Sequence, residues 1–323
     1  MKKNDLNNQF KKNLLQTLIR IRAAEEKIVE VYPQQNMRTP THLSIGQEAV
    51  AVGVCAALKE NDQAFSGHRC HAHFLAKGGD INAFFAELCG RETGSNRGRI
   101  GSAHLTDEQV GIYASPILGA MIPVAVGAAM SFKMDKSKRV AVAFFGDAAI
   151  EEGVFAESLN FAVIKKLPVV FVCENNLYST NSPLKVRQPA SPIYKRVRIP
   201  ELQTIQIDGN DVEKVYQTAR QAIDQCRLGK GPAFMECLTY RIREHVGPLM
   251  DWDKGYRGKA EVQGWIKKCP VRRFTAKLLK QKILTQKEVN AISEKCVNEI
   301  NGAYQKALNS PWPSVETLLD FAC

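Results

Sequence analysis

From residue 139 to residue 242 the chain alternates short apolar runs with amphipathic stretches. No other feature limits the fold as tightly. "RVAVAFF" (139–145), "PVVFVC" (168–173), "LQTIQID" (202–208) and "PAFMECLTYRI" (232–242) read as strands. Helical patterns occupy 150–166 and 211–229 between them. Nearly continuous apolar strands that alternate with helices require a parallel sheet with both faces covered. The expected class is therefore α/β. Upstream, Phe10, Leu14, Leu18, Ile21, Ile28 and Val31 space an amphipathic helix over 9–32, stopped by Pro33. Further helices are expected over 46–59, near 80–89 and over 119–132, and helical patterns return over 271–323. The expected organisation is an N-terminal helical arm (1–35), an α/β domain (36–265) and a C-terminal helical arm (266–323).

Composition excludes several classes. The 323 residues are 45% hydrophobic and 24% charged, which suits a globular chain with a sizeable core. The longest apolar run, residues 117–132, contains Pro123 and is too short and broken to span a bilayer. No apolar stretch follows the lysines of "MKKNDLNNQFKKN", so a cytoplasmic location without a secretory signal is expected. The nine cysteines show no CxxC spacing, which points to reduced thiols, several in the core. The net charge of +11 is spread along the chain, with concentrations at 185–198 and 265–282. No aromatic-basic nucleic-acid motif accompanies it, so an acidic partner or a phosphorylated cofactor is expected instead.

Parallel strands joined by a helix leave the sheet at the same edge, where open α/β sheets bind ligands. "FFGDAAIEEG" (144–153) and "ENN" (174–176) should thus bring Asp147 beside Asn175 and Asn176. Alone, Gly146-Asp147 reads as a helix cap and the asparagines as a turn. Together they form a set of hard oxygen donors suited to Mg²⁺ or Ca²⁺. A helix beginning near Ala149 would add an N-terminus that favours phosphate, and Ala148 and Ala149 leave room for close approach. Neither GxGxxG nor GxxxxGK[ST] is present. The Glu151-Glu152 pair reads as a favourable charge near that helix N-terminus, not as an acid/base pair.

Gly-Asp followed about thirty residues later by Asn-Asn resembles the thiamine diphosphate motif. Six further blocks match in order: "THLSIGQEAVAVGV", "GHRCHAHFLAKG", "GRIGSAHL", "ILGAMIPVAVGAA", "LPVVFVCENNLYS" and "GKGPAFMECLTYR". Over about residues 10 to 270 the chain resembles the alpha subunit of the decarboxylating component of 2-oxo acid dehydrogenases of the pyruvate, acetoin and branched-chain type. The resemblance implies a thiamine diphosphate-binding fold of the diphosphate type. It implies Mg²⁺ on Asp147, Asn176 and the Tyr178 carbonyl, and the diphosphate near Gly146, Ala148 and Ala149. Arg69 would hold the diphosphate, His68 would join the cofactor pocket, and Ile117 and Leu118 would lie along the aminopyrimidine. His42 would face a bound 2-oxo acid, and His245 would sit in a mobile loop as a second catalytic histidine.

This chain departs from the family at several of these places. Ala148 replaces the motif's second glycine, His68 a tyrosine, and Pro116 a glycine beside the pyrimidine. Arg243 stands where pyruvate enzymes have a diphosphate-contacting histidine, and an arginine could make that contact. Val246 stands at a serine that kinases modify in some members. Three histidines between 68 and 73 also invite a zinc reading, but no partner at metal spacing supports it and Arg69 opposes a second cation. His71 is read as a pocket or loop-ordering residue and His73 as structural.

The resemblance further implies a beta subunit carrying the pyrimidine domain, an α₂β₂ assembly and a lipoyl acyltransferase as the usual acceptor. The expected reaction is pyruvate dehydrogenase (acetyl-transferring)-like oxidative decarboxylation of pyruvate or a similar small 2-oxo acid. A carboligating, transketolase-like enzyme and a noncatalytic assembly subunit stand as alternatives.

Overall fold

The structure is a computed structural model and describes residues 6–320, leaving out 38, 190–191, 198 and 318. Its helices are α1 (Asn8–Val31), α2 (Glu48–Cys55), α3 (His71–Lys77), α4 (Ile81–Leu88), α5 (Met121–Met134) and α6 (Gly153–Ile164), followed by α7 (Leu184–Arg187), α8 (Ile193–Arg196), α9 (Val212–Arg227), α10 (Lys259–Lys267), α11 (Pro270–Lys280) and α12 (Gln286–Asn309). Six strands form one sheet: β1 (Gln63–Ser66), β2 (Ile112–Ala114), β3 (Ala141–Gly146), β4 (Val169–Asn175), β7 (Gln203–Asp208) and β8 (Ala233–Leu238). A two-stranded ribbon, β5 (Tyr178–Ser179) and β6 (Ser182–Pro183), stands apart.

The sheet order is β2-β1-β3-β4-β8-β7, and every pairing in it is parallel. Strand side chains alternate between faces, so β3 and β4 serve two cores at once. Val142, Phe144, Val170 and Val172 face a core that includes α1, α2, α9 and α12. Ala141, Ala143, Phe145, Phe171 and Cys173 face a second core with α5 and α6. Burying each large apolar side chain contributes about 1.5–3 kcal/mol, which makes β3 and β4 the rigid centre of the molecule. Both terminal helical regions join the first core, through Leu14, Leu18 and Ile21 of α1 and through Ile300, Ala303 and Tyr304 of α12.

The four expected strands and the parallel covered sheet are present, with adjusted ends. The helix expected over 46–59 begins only at Glu48, because Gly46 has φ +101°, outside helical geometry. The helix expected from 150 is split. A 3-10 turn spans Asp147–Glu151, Glu152 is extended, and α6 starts at Gly153. The expected α-helical N-terminus near Ala149 is therefore a 3-10 turn. β8 ends at Leu238, so residues 239–242 leave the sheet. The eight described cysteines are all free and buried. Among the described residues, no helix is long and apolar enough to cross a membrane.

Candidate active site

The register pairs Gly146 with Glu174, so β3 and β4 end level at the carboxyl edge of the sheet. Asp147 follows directly, at 1% exposure. The chain after β4 turns sharply through Leu177, at φ +73°, and carries Asn176 and Tyr178 beside it. Asn176 Nδ2 donates to Gln47 Oε1 at 3.0 Å, and Asn176 Oδ1 accepts from the Tyr178 amide at 3.2 Å. The first contact fixes which end of the carboxamide presents oxygen.

The opposite wall comes from residues 41–47, which have no regular structure and are held by buried carboxylates. Glu25 accepts from the Ser44 amide at 2.8 Å and contacts His71 Nδ1 at 2.9 Å. Glu48, paired with Arg22 at 2.6 Å, accepts from the Gly46 amide at 3.0 Å. Gly46 is required here: a Cβ would stand 2.4 Å from the Tyr240 carbonyl oxygen. The Gly247 amide donates to the Thr41 carbonyl at 2.9 Å, closing the 243–249 loop over His42. Arg69 Nη1 donates to the Leu43 carbonyl at 2.6 Å.

These walls enclose one cavity of about 320 Å³. His42, His68, Arg69, Ile117, Leu118, Gly146, Asp147, Ala148, Ala149, Asn176, Tyr178 and His245 all line it. Arg243 does not. Its guanidinium donates to the Pro248 carbonyl at 3.0 Å and pairs with Glu26 at 3.3 Å, while its own carbonyl accepts from Arg241 and Arg257. Arg243, expected to contact a diphosphate, thus stands outside the cavity lining beside Glu26, and His245 fills the cavity side of the loop.

Sequence reasoning missed Gln47, Ser66, Arg187 and Gln188, and gave no site role to Glu174 or to His73, which it read as structural. His73 Nδ1 lies 2.8 Å from Ser66 Oγ and its ring stacks on Phe144, at the cavity wall. His71 is buried between Glu25 and Ser102. The closely spaced histidines are thus dispersed in space, whereas His42, His68 and His245 converge. Arg187 belongs to a basic stretch that reads as surface, yet it bridges Asp147 and Glu151. Gln188 joins it, donating to the Asp147 carbonyl at 2.9 Å.

Electrostatics follow from burial. Burial raises the Asp147 carboxyl above its ordinary value, and Arg187 opposes that rise. Burial, and next the Arg69 charge, lower His42 to about 2, His68 to about 3 and His245 to about 4. All three rings are neutral at neutral pH. Burial likewise lowers Arg69 to about 9, so it still carries a charge.

The residues fit a diphosphate with a hard divalent cation. A Cβ at Gly146 or Gly67 would meet nothing within 4 Å, so both leave open space beside the cavity. His42 Nδ1 and Gln47 Nε2 are buried with no hydrogen-bond partner, and His73 Nε2 has only Glu174 Oε2 beside it, at 3.4 Å. A buried carboxylate and a carboxamide oxygen suit Mg²⁺, and the Arg69 fork suits phosphate oxygens.

A family model described as "Dehydrogenase E1 component" matches residues 16–316. The chain belongs to the dehydrogenase E1 component family. It is 36% identical over 308 residues to the alpha subunit of acetoin:2,6-dichlorophenolindophenol oxidoreductase from Bacillus subtilis, covering 95% of this chain and 91% of that one. It is 34% identical over 303 residues to the pyruvate dehydrogenase E1 component alpha subunit of Rhizobium meliloti, covering 93% and 86%. The testis-specific mitochondrial pyruvate dehydrogenase E1 alpha subunit of Homo sapiens is 34% identical over 303 residues, covering 93% and 76%. E1 dehydrogenases are thiamine diphosphate-dependent oxidoreductases, and their alpha subunits of this kind pair with beta subunits.

Proposed function

We propose that this E1 chain is the alpha subunit of an enzyme that oxidatively decarboxylates pyruvate or a similar small 2-oxo acid and passes the acyl group to a lipoyl acceptor. The observation that carries the reading is one cavity joining hard oxygen donors, a buried guanidinium and neutral imidazoles at the ends of β3 and β4. Mg²⁺ would be held by Asp147, Asn176 Oδ1 and the Tyr178 carbonyl. Arg69 would bind the diphosphate, with His68, Gly146, Ala148 and Ala149 beside it, and Ile117 and Leu118 would lie against the aminopyrimidine. Thiamine diphosphate, when bound, supplies the carbon nucleophile and the electron sink for loss of CO₂. His42 Nδ1 and the His245 ring, both neutral, can each hold or give up a hydrogen bond at a substrate oxygen without bringing a fixed charge. The buried carboxylates at Glu25 and Glu48 keep His42 in register for that contact.

The 36–265 segment would carry the site, with the terminal regions as helical arms. The pyrimidine half would come from a beta subunit in an α₂β₂ assembly, in the cytoplasm, with a lipoyl acyltransferase as the onward partner. The acetoin-active relative supports a second reading, an uncharged hydroxyketone substrate. Arg69 is the only lysine or arginine among the described residues lining the cavity, which favours that reading because a diphosphate would already engage it.

Co-expression with the beta subunit, followed by assay of pyruvate, branched 2-oxo acids and acetoin with an artificial electron acceptor, tests the proposal. Turnover of a 2-oxo acid with CO₂ release is expected. Turnover of acetoin alone selects the second reading. No turnover of any of them, with cofactor bound, overturns both and returns the carboligating or noncatalytic alternatives.

A further inference from the structure

His42, His68 and His245 come from three distant parts of the chain and meet on one wall of the cavity. Their rings contact pairwise, with centroids 4.7, 5.1 and 5.4 Å apart. One ring nitrogen from each lies within 4.8 Å of the other two. No other group of histidine, cysteine and acidic side chains converges this way among the described residues. We propose that these three imidazoles form a binding site for a divalent transition metal of the zinc class, separate from the oxygen donors at Asp147 and Asn176.

The donor chemistry separates the two sites. Carboxylate and carboxamide oxygens select Mg²⁺, whereas imidazole nitrogens select Zn²⁺, Co²⁺ or Cu²⁺. Three histidines with a fourth position open to a cavity is the pattern of zinc sites that keep a place for solvent or substrate. Ligation needs neutral imidazole, and burial keeps all three rings neutral. His42 Nδ1 is buried without a hydrogen-bond partner, so the ring gives up no bond at that atom when it turns toward a metal. Zn–N bonds of about 2.0–2.1 Å set tetrahedral ligand atoms about 3.4 Å apart, so small ring movements complete the site. His245, on a loop, can supply them. The nearby charges of Arg69 and Arg241 oppose a bare dication. The fourth ligand is therefore an anion such as chloride or hydroxide. Where the metal sits, the substrate cannot; that consequence alone rests on the function proposed above.

The test titrates the full-length chain with Co²⁺ alone, without Mg²⁺ or thiamine diphosphate. The expected result is a single equivalent bound with the intense visible bands of four-coordinate Co²⁺, displaced by Zn²⁺. His68→Tyr and, on the loop, His245→Gln should each weaken binding by at least about tenfold, the scale that loss of even an outer-shell partner reaches. Asp147→Ala should keep the bands. Far-ultraviolet circular dichroism checks that each variant is folded. Absence of four-coordinate bands in the wild-type chain, or their persistence at full affinity in both folded histidine variants, or their loss in folded Asp147→Ala, overturns the site. In the assembled enzyme, Zn²⁺ should inhibit competitively with the 2-oxo acid. Noncompetitive inhibition overturns the overlap with substrate, and the Co²⁺ result stands apart from whether the cofactor reading holds.

Discussion

Ala148 stands where the resembling motif has a second glycine, and its backbone accounts for the replacement. It lies inside the 3-10 turn Asp147–Glu151 and is not among the residues with positive φ, so no glycine is needed. Ala148→Gly should leave thiamine diphosphate affinity unchanged. It should lower unfolding free energy by about 0.5–1 kcal/mol, because glycine loses more backbone freedom on folding; urea unfolding measures this. The three cavity histidines make a second prediction. Their folded values of about 2, 3 and 4 lie below the ordinary histidine value. Between those values and about 6.5 the unfolded chain binds more protons, so stability rises with pH there. The unfolding temperature should fall as pH drops from about 6.5 toward about 4. His68→Phe should flatten that dependence, and an unchanged slope would contradict the neutral cluster. The juxtaposition of Asp147 and Asn176 in one cavity was legible, because strand position alone sets it. The role of Arg187 was not legible, because its neighbours Lys185, Lys195 and Arg196 make it look like solvated charge. Nor was the ion pair of Arg243 legible, because a sequence does not reveal that Glu26 lies beside the loop.

Among the elements, the level ends of β3 and β4 create the site, and the short α7 turn holds its carboxylate. Arg187 supplies the positive charge that buried Asp147 needs, and it also bridges to Glu151. Removing one partner of a buried ion pair strands the other charge. Arg187→Ala should therefore cost up to about 3 kcal/mol in chelator, the lower part of the range for such losses because Arg187 sits at the rim. Added Mg²⁺ should recover more stability for the variant than for the wild-type chain. Equal thermal shifts with Mg²⁺ in both would contradict this. β3, β4 and β8 were readable because both faces are buried, which leaves a continuous apolar run, and the edge strand β7 through Ile205 and Ile207 spaced two apart. β1 and β2 were not: Gln63–Ser66 and Ile112–Ala114 are too short to show a period, and pairing with β3 and with each other makes them strands. The insertion of β8 between β4 and β7 is likewise a tertiary outcome.

Across the whole molecule, exposed apolar side chains stand at the cavity wall and on the α5–α6 layer. Ile117, Leu118 and Val124 are 67%, 43% and 48% exposed, and Phe161 and Ile164 of α6 are 42% and 67% exposed. α6 packs beside α5. Exposed apolar side chains gathered on one layer favour an interaction surface there. Phe161→Glu with Ile164→Glu should leave the isolated chain folded and abolish co-purification with the beta subunit. Retained co-purification would place the interface elsewhere. The covered parallel sheet was legible from alternation alone, whereas the union of both terminal helices with one core was not, because an amphipathic helix does not name the surface it covers. The most direct measurement is calorimetric titration of the αβ complex with thiamine diphosphate and Mg²⁺. Saturable binding to the wild-type complex and none to the Asp147→Ala complex is expected; equal binding to both would contradict the metal and diphosphate site at the ends of β3 and β4.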